Sequence, residues 1–343
     1  MKIKELQYSY PEHLVATEPV RPSRVLWVEG QQFSELTIAE LIQKIPAGDV
    51  LVINDSKVLK RRVFAQDDLE VLFLGRVPSS ESNSEKWQVL FPSRHLKIGA
   101  EISLPLGVRM KLVEKGRPQT VELSEPLAEK YFEQVAELPL PPYIQKARGY
   151  RHTQDQDQTW YQTAWAEKPG SFAAPTASLH FSNKDLQSLK ERGVQVLTLT
   201  LHVGLGTFLP VTSEDLNDHP MHEEWVEIPA ETWAALREAK SRGASVWALG
   251  TTATRSLESA AQGILKPGDQ GQWQGFTDLL IQPGYPWQMV DRLLTNFHQP
   301  ESTLLALVAG FSDLNTVKSA YSHAIEKGFR LFSYGDLSVW IRP

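Results

Sequence analysis

The chain has 343 residues, 41% hydrophobic and 22% charged, enough material for a buried core and more than one domain usually holds. It has no cysteine, which excludes disulfides, thiolate zinc sites, iron–sulfur clusters and a cysteine nucleophile together. A net charge of −6 argues against avid, sequence-blind nucleic-acid binding over the whole surface, and no stretch has the apolar length of a signal peptide or membrane span, so the cytoplasm is the expected compartment.

From Ser23 the element types alternate. RVLWVE (24–29) reads as a strand, IAELIQKI (38–45) as a helix, Gly48 and Asp49 as a turn, and DVLVIN (49–54) as a strand. SKVLKRR (56–62) follows and carries Lys57, Lys60, Arg61 and Arg62; QKARGYRH (145–152) is the other basic run. Each reads either as a solvated face or as a phosphate-binding patch.

Between about Arg62 and Pro142 the runs are short and strand-like: RVFAQ, LEVLFLGRV, KWQVLFPS, AEISLP, VRMKLVEKG and QTVELS. Gly, Pro, Asn and Ser separate them, as expected of a small all-β barrel. SSESNSEK (79–86) within this stretch reads as a polar hairpin loop. LPLPPYI (138–144) reads as a stiff return segment, in which Pro139, Pro141 and Pro142 forbid helix.

The helix–strand pattern resumes at DLQSLKERG (185–193), VQVLTLTLHVG (194–204), ETWAALREAKSRG (231–243), ASVWALG (244–250) and TRSLESAAQGIL (254–265). Two of these helices end in glycine directly before an apolar strand, which predicts left-handed C-caps at Gly193 and Gly243. Continuous apolar strands with crossover helices predict an α/β fold with a mainly parallel sheet and helices on both faces. The expected organisation is a discontinuous α/β catalytic domain, 1–61 and 149–343, interrupted by an inserted small β-barrel domain, 62–148.

Four apolar elements run into polar, glycine-bearing loops: LHVGLGT (201–207), LGTTATRSLES (249–259), GSFAAPTASLHF (170–181) and LLTNFHQPESTLLALV (293–308). In open parallel sheets the carboxyl ends of strands, beside helix N-termini, form the ligand crevice. That reading puts His202 at a rim, with Gly204 and Gly206 letting backbone approach a ligand. Plain turn geometry explains the glycines equally, Thr capping explains GTTATR, and a satisfied core residue explains His180. HPMHEE (219–224) suggests a metal site, but Pro220 spoils the helical face that would bring the two histidines together, so no metal is expected. GxSxG, P-loop and dinucleotide-binding signatures are missing.

Taken in order, YSYPEHLVATEPVRPSRVLWV, GDVLVINDSKVLKRRV, LPLPPYI, YQTAWAEKPGSFAAPTASLHF, TLHVGLGTFLPV, HPMHEE, LGTTATRSLESAA, IQPGY, LLTNFHQPESTLLALVAGF and FRLFSYGD resemble the S-adenosylmethionine:tRNA ribosyltransferase-isomerases of queuosine biosynthesis almost end to end. The resemblance implies transfer of the ribosyl group of S-adenosylmethionine to a 7-aminomethyl-7-deazaguanine at the tRNA wobble position. Rearrangement then yields epoxyqueuosine, adenine and methionine. It also implies S-adenosylmethionine as a consumed co-substrate with no permanently bound cofactor, and tRNA as partner; the lack of an apolar span argues against membrane association, and a monomer is expected. The chain departs from the family pattern at Leu205, Ser178 and Gln299, and at Arg21–Pro22; Leu205 narrows the space beside the expected pocket.

The implied chemistry assigns expected roles. The sulfonium acidifies the ribose C5′ hydrogens, so a base is needed, and His202 and His298 fit by type. Departing adenine needs a proton or hydrogen bond, for which Glu258, His180 and Asp336 are candidates. Arg255, with Thr251 and Thr252 at a helix start, suits the methionine carboxylate. Asn54 and Asp55 suit the guanine-like edge and the aminomethyl cation, while Gly204, Gly206, Thr207 and Asn296 line the substrate. Lys57, Lys60, Arg61 and Arg62 suit anticodon phosphates. A metal-dependent hydrolase built on HPMHEE and His202, and a non-catalytic tRNA-binding module, are the competing readings.

Overall fold

A computed structural model of the chain describes residues 1–78, 85–204, 206 and 211–342. The segment 79–84, and with it most of the expected hairpin loop SSESNSEK, lies outside the described residues. Two compact units are distinguished, one of 1–58, 141–151 and 158–343, the other of 59–140 and 152–157.

The first unit opens with β1 (Arg24–Glu29), β2 (Gln32–Thr37), α1 (Ile38–Lys44), β3 (Val50–Asn54) and β4 (Ser56–Val58). α1 starts where Thr37 and Glu40 form a reciprocal capping box, so the polar Thr-x-x-Glu spacing sets its first turn. The second unit holds β5 (Arg62–Ala65), β6 (Leu69–Val77), β7 (Lys86–Leu90), β8 (Glu101–Ser103), β9 (Arg109–Glu114), β10 (Gln119–Leu123) and α2 (Glu129–Val135). Its strands form one barrel-like sheet in the order β5-β6-β7-β10-β9-β8, all pairings antiparallel. Alternate residues such as Val63, Phe73, Val89, Met110, Leu112 and Val121 point inward, and Phe132 of α2 packs onto them. This is the period of two that a half-buried strand requires.

The first unit continues with α3 (Pro142–Arg148), α4 (Asp157–Trp160), β11 (Lys168–Ser171), α5 (Asn183–Glu191), β12 (Gln195–Leu201), β13 (Glu224–Ile228), α6 (Ala230–Ser241) and β14 (Val246–Leu249). Then come α7 (Thr251–Ala261), β15 (Lys266–Pro267), β16 (Trp273–Thr277), β17 (Arg292–Asn296), α8 (Thr303–Phe311), α9 (Leu314–Glu326) and β18 (Leu337–Ile341). The expectation that the prolines forbid helix in LPLPPYI is corrected at its end. Pro142 is the first residue of α3, where a missing N–H costs nothing and a fixed φ suits the turn.

Ten strands make the large sheet, in the order β15-β16-β13-β12-β3-β14-β17-β18-β1-β2. Among the described residues, four of its pairings are parallel (β12/β3, β3/β14, β14/β17 and β18/β1). The other five are antiparallel. The sheet is therefore mixed, and "mainly parallel" fits only its centre. The continuous apolar runs that suggested otherwise belong to β3 and β14, which are buried on both faces. Leu51, Ile53, Trp247 and Leu249 pack with α1 and α5, while Val50, Val52, Val246 and Ala248 are buried on the opposite face. Gly193 and Gly243 take φ of +84° and +76° as C-caps, as their place before an apolar strand predicts.

Candidate active site at the sheet rim

Register and direction alone assemble a rim. β12, β3, β14 and β17 are adjacent and parallel, so their carboxyl ends, at Leu201, Asn54, Leu249 and Asn296, lie along one edge. β18 runs antiparallel to β17 with Asn296 opposite Leu337, which brings Asp336 to the same edge; β1, parallel to β18, brings Ser23. The connections after β3 return to opposite sides of it, at β12 and β14, so β3 marks the switch where a crevice opens.

The densest polar cluster lies where β3 and β12 end. His202 Nδ1 is 2.8 Å from Ser56 Oγ, which is 2.7 Å from Ser171 Oγ. Val203 N donates to Ser171 Oγ at 2.9 Å. The imidazole lies against Gly170, where a Cβ would fall 2.6 Å from the ring, so only glycine admits it. Burial holds His202 below the usual histidine range, opposed by the nearby carboxylates Asp55 and Glu227. Asp55 is buried beside it and accepts from Thr200 Oγ1 at 2.6 Å. Desolvation raises its carboxyl above the ordinary value, against the pull of that hydrogen bond and of Lys168. Lys168 in turn pairs with Glu227 at 2.6 Å. Charge and proton-carrying groups therefore meet in one half-buried patch.

Asn54 differs from its expected role. Its Nδ2 donates to Leu201 O, and its Oδ1 accepts from Leu201 N and Ser56 N at about 3 Å each. With no exposed surface, it ties β3 to the end of β12 and has no edge left for a base. Gly204 and Gly206 make room for side chains of HPMHEE: a Cβ at Gly204 would meet Glu224 at 3.4 Å, and one at Gly206 would meet His222 at 3.0 Å. Gly204 N also donates to Glu224 Oε1 at 2.9 Å. Thr207 lies outside the described residues.

Arg255 is buried on α7 and its guanidinium is already engaged, pairing with the Glu224 carboxylate and donating from Nε to Leu279 O at 3.0 Å. The expected carboxylate clamp is thus an internal ion pair linking α7 to β13. At the α7 N-terminus, Gly250 supplies no side-chain cap, Thr251 is buried, and the buried Thr252 Oγ1 has no partner among the described residues.

The other acid and base candidates are structural groups. Glu258 accepts from Met289 N, Val290 N, Gln288 N and Tyr285 Oη at 2.8–3.3 Å, which folds the 285–290 loop around one carboxylate. Asp336 accepts from Arg330 N, Arg330 Nη2 and Arg24 N at 2.8–3.2 Å. His180 has both ring nitrogens engaged, Nδ1 with Ser23 Oγ at 2.7 Å and Nε2 with Asn296 Nδ2 at 3.0 Å. Asn296 is itself spent on His180, Thr176 and Phe332. His298 turns Nε2 to Thr295 Oγ1 at 2.8 Å and sits, buried, three strand spacings from His202, about 14 Å at ~4.8 Å per strand. Burial pushes His180 and His298 down to about 3, so both are neutral.

Of the basic run, Lys57 is exposed on β4 in the first unit. In the second unit Lys60 is half-buried, while Arg61 and Arg62 are corrected to internal ion-pair residues. Arg61 pairs with Glu129 at 2.6 Å and stacks on Phe132; Arg62, almost wholly buried, pairs with Glu137 at 2.8 Å. Sequence reasoning missed Ser56, Ser171, Thr200, Lys168, Glu224 and Glu227. A hydroxyl inside an already suspected motif, Ser56 in SKVLKRR and Ser171 in GSFAAPTASLHF, was the available signal.

The family model described as "Queuosine biosynthesis protein" matches residues 3–340. The S-adenosylmethionine:tRNA ribosyltransferase-isomerase of Acidithiobacillus ferrooxidans is 41% identical, over 98% of this chain and 97% of its own. That of Halothermothrix orenii is 39% identical, with 98% of each covered. A crystal structure of S-adenosylmethionine tRNA ribosyltransferase from Thermotoga maritima matches with a TM-score of 0.54 and 30% identity, over 98% of this chain and 99% of that one.

Proposed function

The chain belongs to the queuosine biosynthesis protein family, and from that premise we propose that it transfers and isomerises the ribosyl group of S-adenosylmethionine onto 7-aminomethyl-7-deazaguanine at the wobble position of a tRNA. The products are epoxyqueuosine in the tRNA, adenine and methionine. The observation that carries this reading is full-length similarity to relatives of that name, matched on both chains from end to end.

The rim supplies groups of the right kind. Positive charge on sulfur weakens the C5′–H bonds of the ribose; a proton acceptor there starts the rearrangement, and adenine leaves as its glycosidic bond breaks. Asp55, whose carboxyl burial raises beside Lys168, Glu227 and His202, is suited to an aminomethyl cation and to accepting a proton. The unpartnered Thr252 hydroxyl and the free amides of the first α7 turn suit the methionine carboxylate, a role Arg255 cannot take while paired with Glu224. The wobble base is unpaired, so extruding it costs little. Lys57 is the basic side chain of its run free to meet phosphate on the first unit. We place the reaction in the cytoplasm, with a monomeric enzyme and no resident cofactor; no helix among the described residues is long and apolar enough to cross a membrane.

The test is incubation of the protein with S-adenosylmethionine and an anticodon stem-loop carrying the 7-aminomethyl precursor. Adenine and methionine should appear in equal amounts, and the mass of the RNA should rise by the isomerised ribosyl group. Methyl transfer, or no adenine from a folded protein, refutes the reading.

A further inference from the structure

The hydrogens around His202 can be placed by elimination. Val203 N–H donates to Ser171 Oγ, so that oxygen accepts and its own hydrogen must go elsewhere. Its other neighbour is Ser56 Oγ, 2.7 Å away, and Ser56 Oγ is 2.8 Å from His202 Nδ1. Both serines are wholly buried, out of reach of bulk water. Two proton orders close this chain. In the first, Ser171 donates to Ser56 and Ser56 donates to Nδ1, and every hydroxyl hydrogen is used. In the second, Nδ1–H donates to Ser56 and Ser56 donates to Ser171, leaving the Ser171 hydrogen without an acceptor among the described residues. An unpaired buried hydroxyl lowers the population of that arrangement by about tenfold or more.

We infer that Ser171 and Ser56 hold His202 as the Nε2–H tautomer, so that the neutral ring offers the substrate a hydrogen-bond donor instead of a lone pair. Ser56 and Ser171 are then positioning residues, which act through His202 without touching substrate. Gly170 fixes the plane of the ring, because the imidazole lies against its Cα where any Cβ would collide. Nε2 has no partner among the described residues, so the donor faces away from the serine chain. Burial keeps the ring neutral, in agreement with a fixed tautomer. The base suggested by residue type thus becomes a donor, fitted to charge that develops on departing adenine. Proton acceptance falls to the carboxylates of the same cluster, Asp55 first. This inference rests on the reaction proposed above taking place at His202.

Long-range ¹H–¹⁵N correlation of the ligand-free, ¹⁵N-labelled protein at neutral pH reads the tautomer directly. The expected spectrum shows His202 with unprotonated Nδ1 and protonated Nε2, and Ser56→Ala should convert it to a mixture. An Nδ1–H form in the unsubstituted protein overturns the inference, and no folded variant is needed to learn that. In turnover assays His202→Gln, which keeps an N–H donor but has no basic lone pair, should retain at least about tenfold more kcat than His202→Ala. Equal loss in the two overturns the donor role. Ser56→Ala should lower kcat with KM for S-adenosylmethionine unchanged; a fall in kcat with the tautomer intact would reduce the serines to packing. Because the tautomer is read without substrate, its failure sinks this inference alone, whereas lack of adenine release by the unsubstituted protein sinks the functional reading alone.

Discussion

Glu258 has four donors converging on its carboxylate, three of them backbone amides of Gln288, Met289 and Val290. Such a group is spent on structure. Glu258→Ala should therefore cost about 3 kcal/mol or more in urea unfolding, because the two buried amides of Met289 and Val290 and the partly buried amide of Gln288 lose their acceptor. Loss of turnover at unchanged stability would return Glu258 to the list of acids. His180 and His298 make a second residue-scale test. Burial pushes both down to about 3, whereas the unfolded chain takes up these protons near 6.5. Between those values the unfolded state binds more protons, so stability is complete above about pH 6.5 and declines as pH falls toward 3, by roughly 1.4 kcal/mol per pH unit for each histidine. His298→Gln should remove about one proton from that dependence. A slope identical to the parent's would mean that His298 is protonated in the folded state.

At the scale of elements, β4 and β5 show how one basic run divides. SKVLKRR looks uniform in sequence, yet Lys57 faces solvent while Arg62 has almost no exposed surface and is bound to Glu137. Arg62→Ala should destabilise the protein by about 3 kcal/mol, since it removes a buried guanidinium from a partly buried carboxylate that keeps only His152 and the Thr153 amide as partners among the described residues. It should leave the salt dependence of tRNA binding unchanged. Lys57→Ser should do the reverse, keeping stability and reducing the slope of log K against log salt by about 0.7–0.9. If Arg62→Ala flattens the slope in a folded protein, the ion pair opens toward RNA. The strands β9 and β10, the helix α1 and the glycine caps after α5 and α6 were all legible, because each depends on neighbours within a few residues. Strand direction was less so: β2, β13 and β16 join antiparallel to a parallel centre, and a half-buried run does not state which way its partner points.

Across the whole molecule, the rim of the large sheet sets the candidate site. Four parallel strand ends side by side bring together residues from 54 to 298, and α7 begins there with an uncapped first turn. Thr252→Val should raise KM for S-adenosylmethionine about tenfold while stability holds or improves, since the replaced hydroxyl is buried without a partner. An unchanged KM would move the methionine carboxylate away from α7. The sequence by itself determined the local elements, the run of short strands between two α/β stretches, and through its ordered motifs the family and the reaction. Tertiary structure alone decided which polar residues are free to act. Arg255, Glu258, Asp336, His180 and Asn54 have the chemistry of a site, but their hydrogen-bonding capacity is consumed by partners that for each of them include residues at least 22 positions away, and for Asp336 one 312 positions away. Pairing of that kind depends on how distant segments meet in space, and residue type and spacing do not encode it; this is why Ser56 and Ser171, which lie in SKVLKRR and GSFAAPTASLHF but carry no role in the sequence reading, came to define the proton on His202.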